Sequence, residues 1–381
     1  MTGLRHGIVI GKFYPPTLGH HHLIRTAAAN VERLTVVCMA AAVETIPLAD
    51  RVAWLRAEHA ADTTVTVVGI RCDAPTDYDD ETVWAAQVAL MRAAVATVTA
   101  EPVDAVFTSE EYGGQLASWF GAKHVPIDPD RTTVPISGSA VRADLAVGWA
   151  WLAPATRAGL TTRVVLVGAE STGTTTISQL LAEHYRSRGG VWASTRWVGE
   201  YGREYTAIKW ERDRAARPDL ALDDLEWTAD DFDAVATEQT RRETVAAAAG
   251  SPLLVCDTDA FATAVWERRY LGPQARSDQA WASALPRRAI YLVTDHDGVP
   301  WVDDGLREGD QSIRAAMTGW FAEALTRAGK SWMLLTGSLD QRLSLAVRTT
   351  DLLLAQAATF AAPLTQADVP DPVAADPRGD R

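Results

Sequence analysis

Two segments of this chain carry residue types and spacings suited to phosphate chemistry. Gly168-Ala169-Glu170-Ser171-Thr172-Gly173-Thr174-Thr175 has the spacing of the P-loop, G-x-x-x-x-G-K-[ST]. In such a loop the backbone N–H groups cradle phosphates, the lysine reaches the β- and γ-phosphates, and the last hydroxyl ligates Mg2+. Here Thr174 stands in the lysine position. Gly168, Ser171, Gly173, Thr174, Thr175 and Thr176 are the expected ATP contacts, with Thr175 also a metal ligand, but the principal charge is missing.

The second segment is Gly11-Lys12-Phe13-Tyr14-Pro15-Pro16-Thr17-Leu18-Gly19-His20, directly after an apolar strand. Glycines let a backbone approach phosphate closely. His20 would open the next helix, where free N–H groups and the helix dipole favour an anion. An imidazole there can donate to a phosphate oxygen as charge develops, and Lys12 can add a fixed positive charge. The bland alternative is a structural turn with a capping histidine. Farther on, Ile136-Ser137-Gly138-Ser139-Ala140-Val141-Arg142 opens another helix. Either Ser137 or Ser139 can cap it, and Arg142 suits a pyrophosphate leaving group.

Three further segments match the P-loop. Glu200-Tyr201-Gly202-Arg203-Glu204-Tyr205 reads as a turn-rich stretch; Glu200 can serve as a general base on a hydroxyl and Arg203 can bind phosphate. Leu253 to Asp259 is an apolar strand ending in carboxylates, the form of a Walker B strand in which Asp257 helps hold Mg2+. Arg307 and Arg314, after Pro300-Trp301-Val302, are placed to form a mobile lid over ATP. Alone, each of these patterns is more often a solvated face, an ordinary strand end or a surface loop.

The elements that must position these residues alternate. Strands are expected at Gly7–Ile10, Leu34–Met39, Val65–Ile70, Ala105–Thr108 and Lys123–Ile127, with helices at His20–Ala29, Leu48–His59, Glu81–Val98 and Gln115–Phe120. A helix is expected from Ser137 to about Ala146, and a Trp-, Pro- and Ala-rich connection from Gly148 to Gly159. The alternation restarts with strands at Thr162–Val167, Leu253–Cys256, Ala289–Val293 and Ser331–Leu335. Helices are expected at Thr176–Tyr185, Thr228–Ala249, Ser312–Ala328 and Asp340–Ala358. Strand–helix alternation implies parallel sheets covered on both faces. The expected architecture is α/β: one parallel-sheet domain over 1–158, a second, carrying the P-loop, over 159–358, and a disordered tail over 359–381.

At 381 residues the chain is too long for one ordinary core. A net charge of -13 argues against a nucleic-acid or anionic-membrane surface, although a pocket can be locally basic. Three scattered cysteines, Cys38, Cys72 and Cys256, form no CxxC pair, which speaks against a disulfide framework or zinc site. Neither a signal peptide nor a membrane span is evident, so the expected location is cytoplasmic and no membrane partner is expected. Oligomeric state stays open, a homo-oligomer included.

Gly11 to Pro15 with Gly19-His20, and Ile136 to Arg142, resemble the HxGH and ISxTxxR motifs of the nucleotidyltransferase superfamily, with Thr17 in place of the first histidine. Together with Glu200 to Tyr205, Asp257-Thr258-Asp259 with Trp266, and Pro300 to Val302 with Asp304 to Arg307, they resemble the NadR family over nearly the whole chain to about residue 350. Those proteins join a nicotinamide-mononucleotide adenylyltransferase domain to a ribosylnicotinamide kinase domain, so the resemblance implies that residues 1–158 form a Rossmann-like nucleotidyltransferase domain and residues 159–358 a P-loop kinase-like domain. Some carry an N-terminal helix-turn-helix domain, for which there is no room before Ile8.

The resemblance implies that the first domain condenses nicotinamide mononucleotide with ATP, with Mg2+, giving NAD and pyrophosphate. His20, Lys12 and Arg142 would be catalytic, and Gly11, Phe13, Thr17, Gly19, Ser137 and Ser139 would surround ATP. It implies that the second domain phosphorylates ribosylnicotinamide, with Tyr201, Arg203, Asp259 and Trp301 on the substrate. Thr174 leaves three readings of that domain: a kinase with a relocated cation, a slow kinase, or a nucleotide-sensing domain beside a monofunctional adenylyltransferase.

Overall fold

The computed structural model describes residues 3–272, 275–276, 285–300 and 311–364. The chain divides into two compact units. One comprises Met1–Thr156 with Ala358–Arg381, the other Arg157–Ala357.

In the first unit, β1 (Leu4–Gly11), α1 (Leu18–Ala28), β2 (Val31–Ala40), α2 (Leu48–Glu58) and β3 (Val65–Arg71) lead to α3 (Glu81–Ala96), β4 (Ala105–Thr108), α4 (Gly113–Phe120) and β5 (Lys123–Pro126). All pairings are parallel, in the order β3-β2-β1-β4-β5. Successive side chains of a strand point to opposite faces. Ile8 and Ile10 of β1 therefore pack with Val37, Val88 and Met91, while Val9 packs on the other face with Ile24, Val36 and Leu55. Both faces are covered, so β1 reads as a continuous apolar run. Strand order reverses beside β1, and the crevice outside the strand ends at such a point is where ligands bind in open α/β sheets. The loop carrying Lys12 to Thr17 begins there.

After β5 come α5 (Gly138–Ala143) and α6 (Leu145–Gly148). The single helix expected to about Ala146 is broken at Asp144. That residue is extended (φ -147°, ψ 100°), and its carboxylate accepts from Val147 N to start the next turn.

The connection expected from Gly148 to Gly159 contains α7 (Pro154–Leu160). The second unit then has β6 (Thr162–Gly168), α8 (Thr174–Arg186), β7 (Arg196–Val198), α9 (Tyr201–Ala216), α10 (Ala229–Ala249) and β8 (Leu253–Asp257). These are followed by α11 (Ala260–Leu271), β9 (Ile290–Thr294), α12 (Gln311–Arg327), β10 (Trp332–Leu335) and α13 (Leu339–Ala357). This sheet too is parallel, ordered β10-β9-β6-β8-β7, with β6 at the reversal and the P-loop at its end. Val165 and Val167 face Tyr291 and Phe321, whereas Val164 and Leu166 face Ile177 and Leu181. Two parallel-sheet α/β domains are thus present.

Two expectations need correction. Glu200 to Tyr205 is not turn-rich: Glu200 precedes, and Tyr201 opens, the sixteen-residue α9. Part of the tail expected to be disordered is held. Phe360 lies edge-on to Tyr14 (6.0 Å, 90°), and Ala361 N donates to Thr45 Oγ1 at 2.8 Å. One aromatic side chain and two hydrogen bonds fix this stretch; residues 365–381 lie outside the described residues.

Candidate active sites

In the first unit, Thr17 and His20 form a reciprocal cap on α1. His20 N donates to Thr17 Oγ1 at 3.4 Å, and Thr17 N donates to His20 Nδ1 at 2.9 Å. A threonine at this position is an N-cap residue, which accounts physically for the departure from histidine. Because Nδ1 accepts a backbone N–H, the neutral ring carries its proton on Nε2. Burial, then the charges of Arg131 and Arg142, push the imidazole down to about 4. His20 is therefore a neutral hydrogen-bond donor at neutral pH, and it lines a cavity of about 610 Å3.

Two glycines allow the site's loops to meet. A Cβ on Gly19 would stand 3.2 Å from Ile136 O, and one on Gly138 would stand 3.0 Å from Tyr14 O. At α5 the two serines divide the work left open by the sequence. Ser137 caps the helix, accepting from Ala140 N at 3.1 Å, while Ser139 Oγ accepts from Arg142 Nη2 at 3.0 Å. Arg142 also donates to Tyr14 O and lies over the Tyr14 ring, 4.8 Å from its centroid. Burial lowers its pKa from the ordinary arginine value. Lys12 Nζ is 3.4 Å from the buried carboxylate of Glu44, which also pairs with Arg51 at 2.7 Å. This triad keeps one net positive charge. Gly11 and Phe13 also line the cavity, and the Phe13 ring is edge-on to His20 at 5.1 Å.

Sequence reasoning missed Arg131, which lines the same cavity. Its loop is built on Asp128, whose carboxylate accepts from the backbone of Thr132, Thr133 and Val134. The signal was present as Asp128-x-x-Arg131 just before Ile136. It also missed Tyr78 and Tyr112, stacked at 5.1 Å and 14°, which give the cavity a flat aromatic wall.

In the second unit the P-loop encloses a cavity of about 450 Å3. Ser171 and Gly173 take left-handed φ of 55° and 87°. Thr174 opens α8, and its hydroxyl turns to Thr294 Oγ1 at 3.0 Å and Thr172 Oγ1 at 3.3 Å. Thr172 and Thr294 are themselves 2.6 Å apart, and Thr172 donates to Ala169 O at 2.7 Å. Three neutral hydroxyls thus gather at the lysine position.

The Thr175 hydroxyl donates to the Asp257 carboxylate, which is pushed up to about 7 by burial and then by Glu200, against the opposing effects of Thr175 and Arg203. Glu200 pairs with Arg203 Nε at 3.1 Å, and both line the cavity with Gly168, Ser171, Gly173, Thr174, Thr175 and Thr176.

Three assignments change. Arg314 is not a lid residue: it is buried and donates to Glu170 O at 3.2 Å and Ser171 O at 2.9 Å, bracing the loop from its carbonyl side. Arg342, absent from the sequence reading, does the same at Thr172 O and also binds Asp295 O and Gly337 O. Asp259 does not face substrate. It is fully buried and accepts from Arg288 Nε at 2.9 Å, Tyr291 OH at 2.8 Å and Ala262 N at 3.0 Å, which uses its carboxylate in holding α11 to β9. Tyr201 turns its ring to Arg242, 4.4 Å away, and is not among the cavity-lining residues. Trp301 and Arg307 lie outside the described residues. Among the described residues, Arg203 is the one arginine or lysine lining this cavity. Trp227, Phe232, Trp266 and Tyr270 form its aromatic wall, with Trp227 and Tyr270 stacked at 5.2 Å. Of these, Trp266 alone was singled out in the sequence.

Comparison with known proteins follows the same division. Residues 8–144 match the Cytidylyltransferase-like family and residues 163–342 match an AAA domain family. The chain is 25% identical over 334 residues to the trifunctional NAD biosynthesis/regulator protein NadR of Salmonella typhimurium, covering 84% of this chain and 76% of that protein. It is 24% identical over 323 residues to the protein of the same name from Escherichia coli, covering 81% and 72%. Its fold is similar to a crystal structure of a NadR protein in complex with NAD and AMP-PNP (TM-score 0.60, 20% identity, 93% and 97% covered). A NadR structure in complex with NR gives a TM-score of 0.59 at 19% identity, with the same coverage. With relatives matched across both domains, each on its own parallel sheet, the chain is a homologue of NadR proteins over most of its length.

Proposed function

We propose that the first unit transfers the adenylyl group of ATP to nicotinamide mononucleotide, giving NAD and pyrophosphate. The observation that carries this reading is His20: a neutral imidazole at a helix start, its tautomer fixed by a backbone N–H, in a cavity lined by Lys12, Arg131 and Arg142. The phosphate of the mononucleotide attacks the α-phosphorus, and the α–β bridging oxygen leaves with pyrophosphate. His20 Nε2–H donates to a nonbridging α-phosphate oxygen as charge builds there. Arg142 and Arg131 bind the leaving pyrophosphate, and Lys12 adds charge from the β1 side. No covalent enzyme intermediate is needed. The flat face of Tyr78 and Tyr112 offers a surface for an aromatic base.

In the second unit, ATP-dependent phosphorylation of the ribosylnicotinamide 5′-hydroxyl is supported by the P-loop, by Glu200 and Asp257 as carboxylates facing one cavity, and by the aromatic wall beside them. Thr175 and Asp257 supply a hydroxyl and a buried carboxylate in contact, hard oxygen donors that suit Mg2+ alongside ATP phosphates. Mg2+, when bound, would neutralise charge on the transferring phosphate. Glu200 is the base for the hydroxyl proton, and Arg203 is the phosphate-side cation.

A second reading, a nucleotide-sensing P-loop domain beside a monofunctional adenylyltransferase, is favoured by the neutral threonine cluster at Thr174. One comparison separates the two. Purified protein is given ribosylnicotinamide, ATP and Mg2+, and mononucleotide formation is measured against a Glu200→Gln control. Turnover above the control supports the kinase; ATP binding without turnover supports the sensor.

A further inference from the structure

Tyr14 is a junction in the first site that the chemistry above leaves unexplained. It is 2% exposed. Its ring lies between two guanidinium groups, Arg51 at 4.2 Å and Arg142 at 4.8 Å from the centroid. Its carbonyl accepts from Arg142 Nη1. Its hydroxyl accepts from Thr45 N at 2.9 Å and donates to Ala361 O at 3.1 Å. Ala361 N returns a hydrogen bond to Thr45 Oγ1 at 2.8 Å. A residue more than 300 positions away in sequence is thus clipped by its carbonyl to Tyr14 and by its N–H to Thr45, in the connection after β2. Phe360 meets the Tyr14 ring edge-on, and Pro363 lines the cavity with Lys12 and His20.

We propose that residues 359–364 are a positioning strap for the adenylyl-transfer site, holding Tyr14 and, through it, the guanidinium of Arg142. The proposal rests on the function given above to the first unit. A planar guanidinium binds phosphate oxygens well only in the right orientation. Arg142 takes its orientation from the face of Tyr14, from Tyr14 O and from Ser139 Oγ, and two of these three belong to the residue that the strap fixes. Two hydrogen bonds and one aromatic contact hold the segment against the backbone entropy lost in ordering it. The strap is therefore sensitive to a single lost bond.

Ala361→Pro removes the N–H given to Thr45 and keeps the carbonyl; Ala361→Gly keeps both. Thr45→Val removes the acceptor, and Tyr14→Phe removes the bridging hydroxyl. In the full-length chain, Ala361→Pro and Thr45→Val are each expected to raise the KM for ATP and the inhibition constant of pyrophosphate about three- to tenfold, with a smaller change in kcat. Ala361→Gly behaves as wild type. In a Tyr14→Phe background, Ala361→Pro adds little, because each variant releases the same segment, one at the Ala361 carbonyl and the other at its N–H. Unchanged KM and pyrophosphate inhibition in Ala361→Pro, or effects that multiply with Tyr14→Phe, overturn the strap. Wild-type protein that makes no NAD counts against the function of the first unit instead. Amide exchange of the peptide 136–142 then decides the strap: faster exchange in Ala361→Pro supports it, and wild-type exchange overturns it.

Discussion

Replacing Thr174 with lysine restores the charge that the P-loop lacks, and the structure gives both sides of the balance. The substitution removes hydrogen bonds from Thr174 to Thr294 and Thr172, at 3.0 and 3.3 Å. Thr172 and Thr294 remain bonded to each other at 2.6 Å, so no hydroxyl is stranded. The loss in stability is about 1 kcal/mol, or roughly 2–4 °C in Tm for a unit of this size. A cation placed on the developing charge of a transferring phosphate lowers the barrier by about 3 kcal/mol, roughly a hundred- to thousandfold. Arg203, already on the cavity wall, supplies part of that effect, so the expected net gain is about ten- to a hundredfold in kcat for ribosylnicotinamide phosphorylation. Mononucleotide is measured chromatographically under saturating ATP and Mg2+, with thermal unfolding followed alongside. A rate equal to or below wild type, in protein whose Tm has moved by only a few degrees, would refute the reasoning: the lysine's place would then already be filled by another cation.

Other predictions concern both units. His21 is fully buried against His59, with Nδ1 and Nε2 3.0 Å apart, and is pushed down to about 3 by burial and then by His59, His20 and Arg25. A lowered histidine pKa means that the unfolded chain takes up the proton first. Stability is then complete above about pH 6.5 and falls as pH drops, by about 2 kcal/mol at pH 5 from this group; urea midpoints of the first unit that coincide at pH 7 and pH 5 would contradict this. Arg131 pairs with Glu110 at a half-exposed position, so Arg131→Ala should leave Tm within about 1 °C while lowering kcat/KM for NAD formation about ten- to a hundredfold; unchanged kinetics remove Arg131 from the site. Asp259→Ala leaves the buried Arg288 with Glu243 as its remaining carboxylate and Tyr291 OH without its acceptor, and should destabilise the second unit by about 2–3 kcal/mol, with NAD formation retained at low temperature. A rise in KM for ribosylnicotinamide at unchanged stability would return Asp259 to the substrate.

Much of the fold was legible because it follows apolar runs and phosphate-loop spacing. Thr162 to Val167 and the helix after it, for example, differ from the structure by one or two residues at the ends. What escaped has physical reasons. α9 buries Lys209 and little else, so it shows no apolar stripe, and Glu200-Tyr201-Gly202-Arg203 reads as a turn. α11 has the opposite problem: the run from Ala260 to Val265 is buried without interruption, and no face stands out. At the cavities, His20 and Arg142 line one and Thr175 and Asp257 the other, and each stands within a turn of its own glycine or strand end, which is why local motifs could group them. The threonine cluster needed Thr294, 120 positions from Thr174. Asp259 reads locally as a strand-end ligand group, because its partners Arg288 and Tyr291 lie about 30 positions on, at the start of β9. The strap joins Ala361 to Tyr14, a pairing that no local pattern announces.

The central claim is adenylyl transfer by the first unit, and ATP labelled in its α-phosphate tests it most directly. With nicotinamide mononucleotide and Mg2+, the label should appear in NAD, and His20→Ala should slow its appearance by at least about a hundredfold while leaving ribosylnicotinamide phosphorylation unchanged. Label that never enters a dinucleotide, or that enters at the wild-type rate in His20→Ala, would contradict the account.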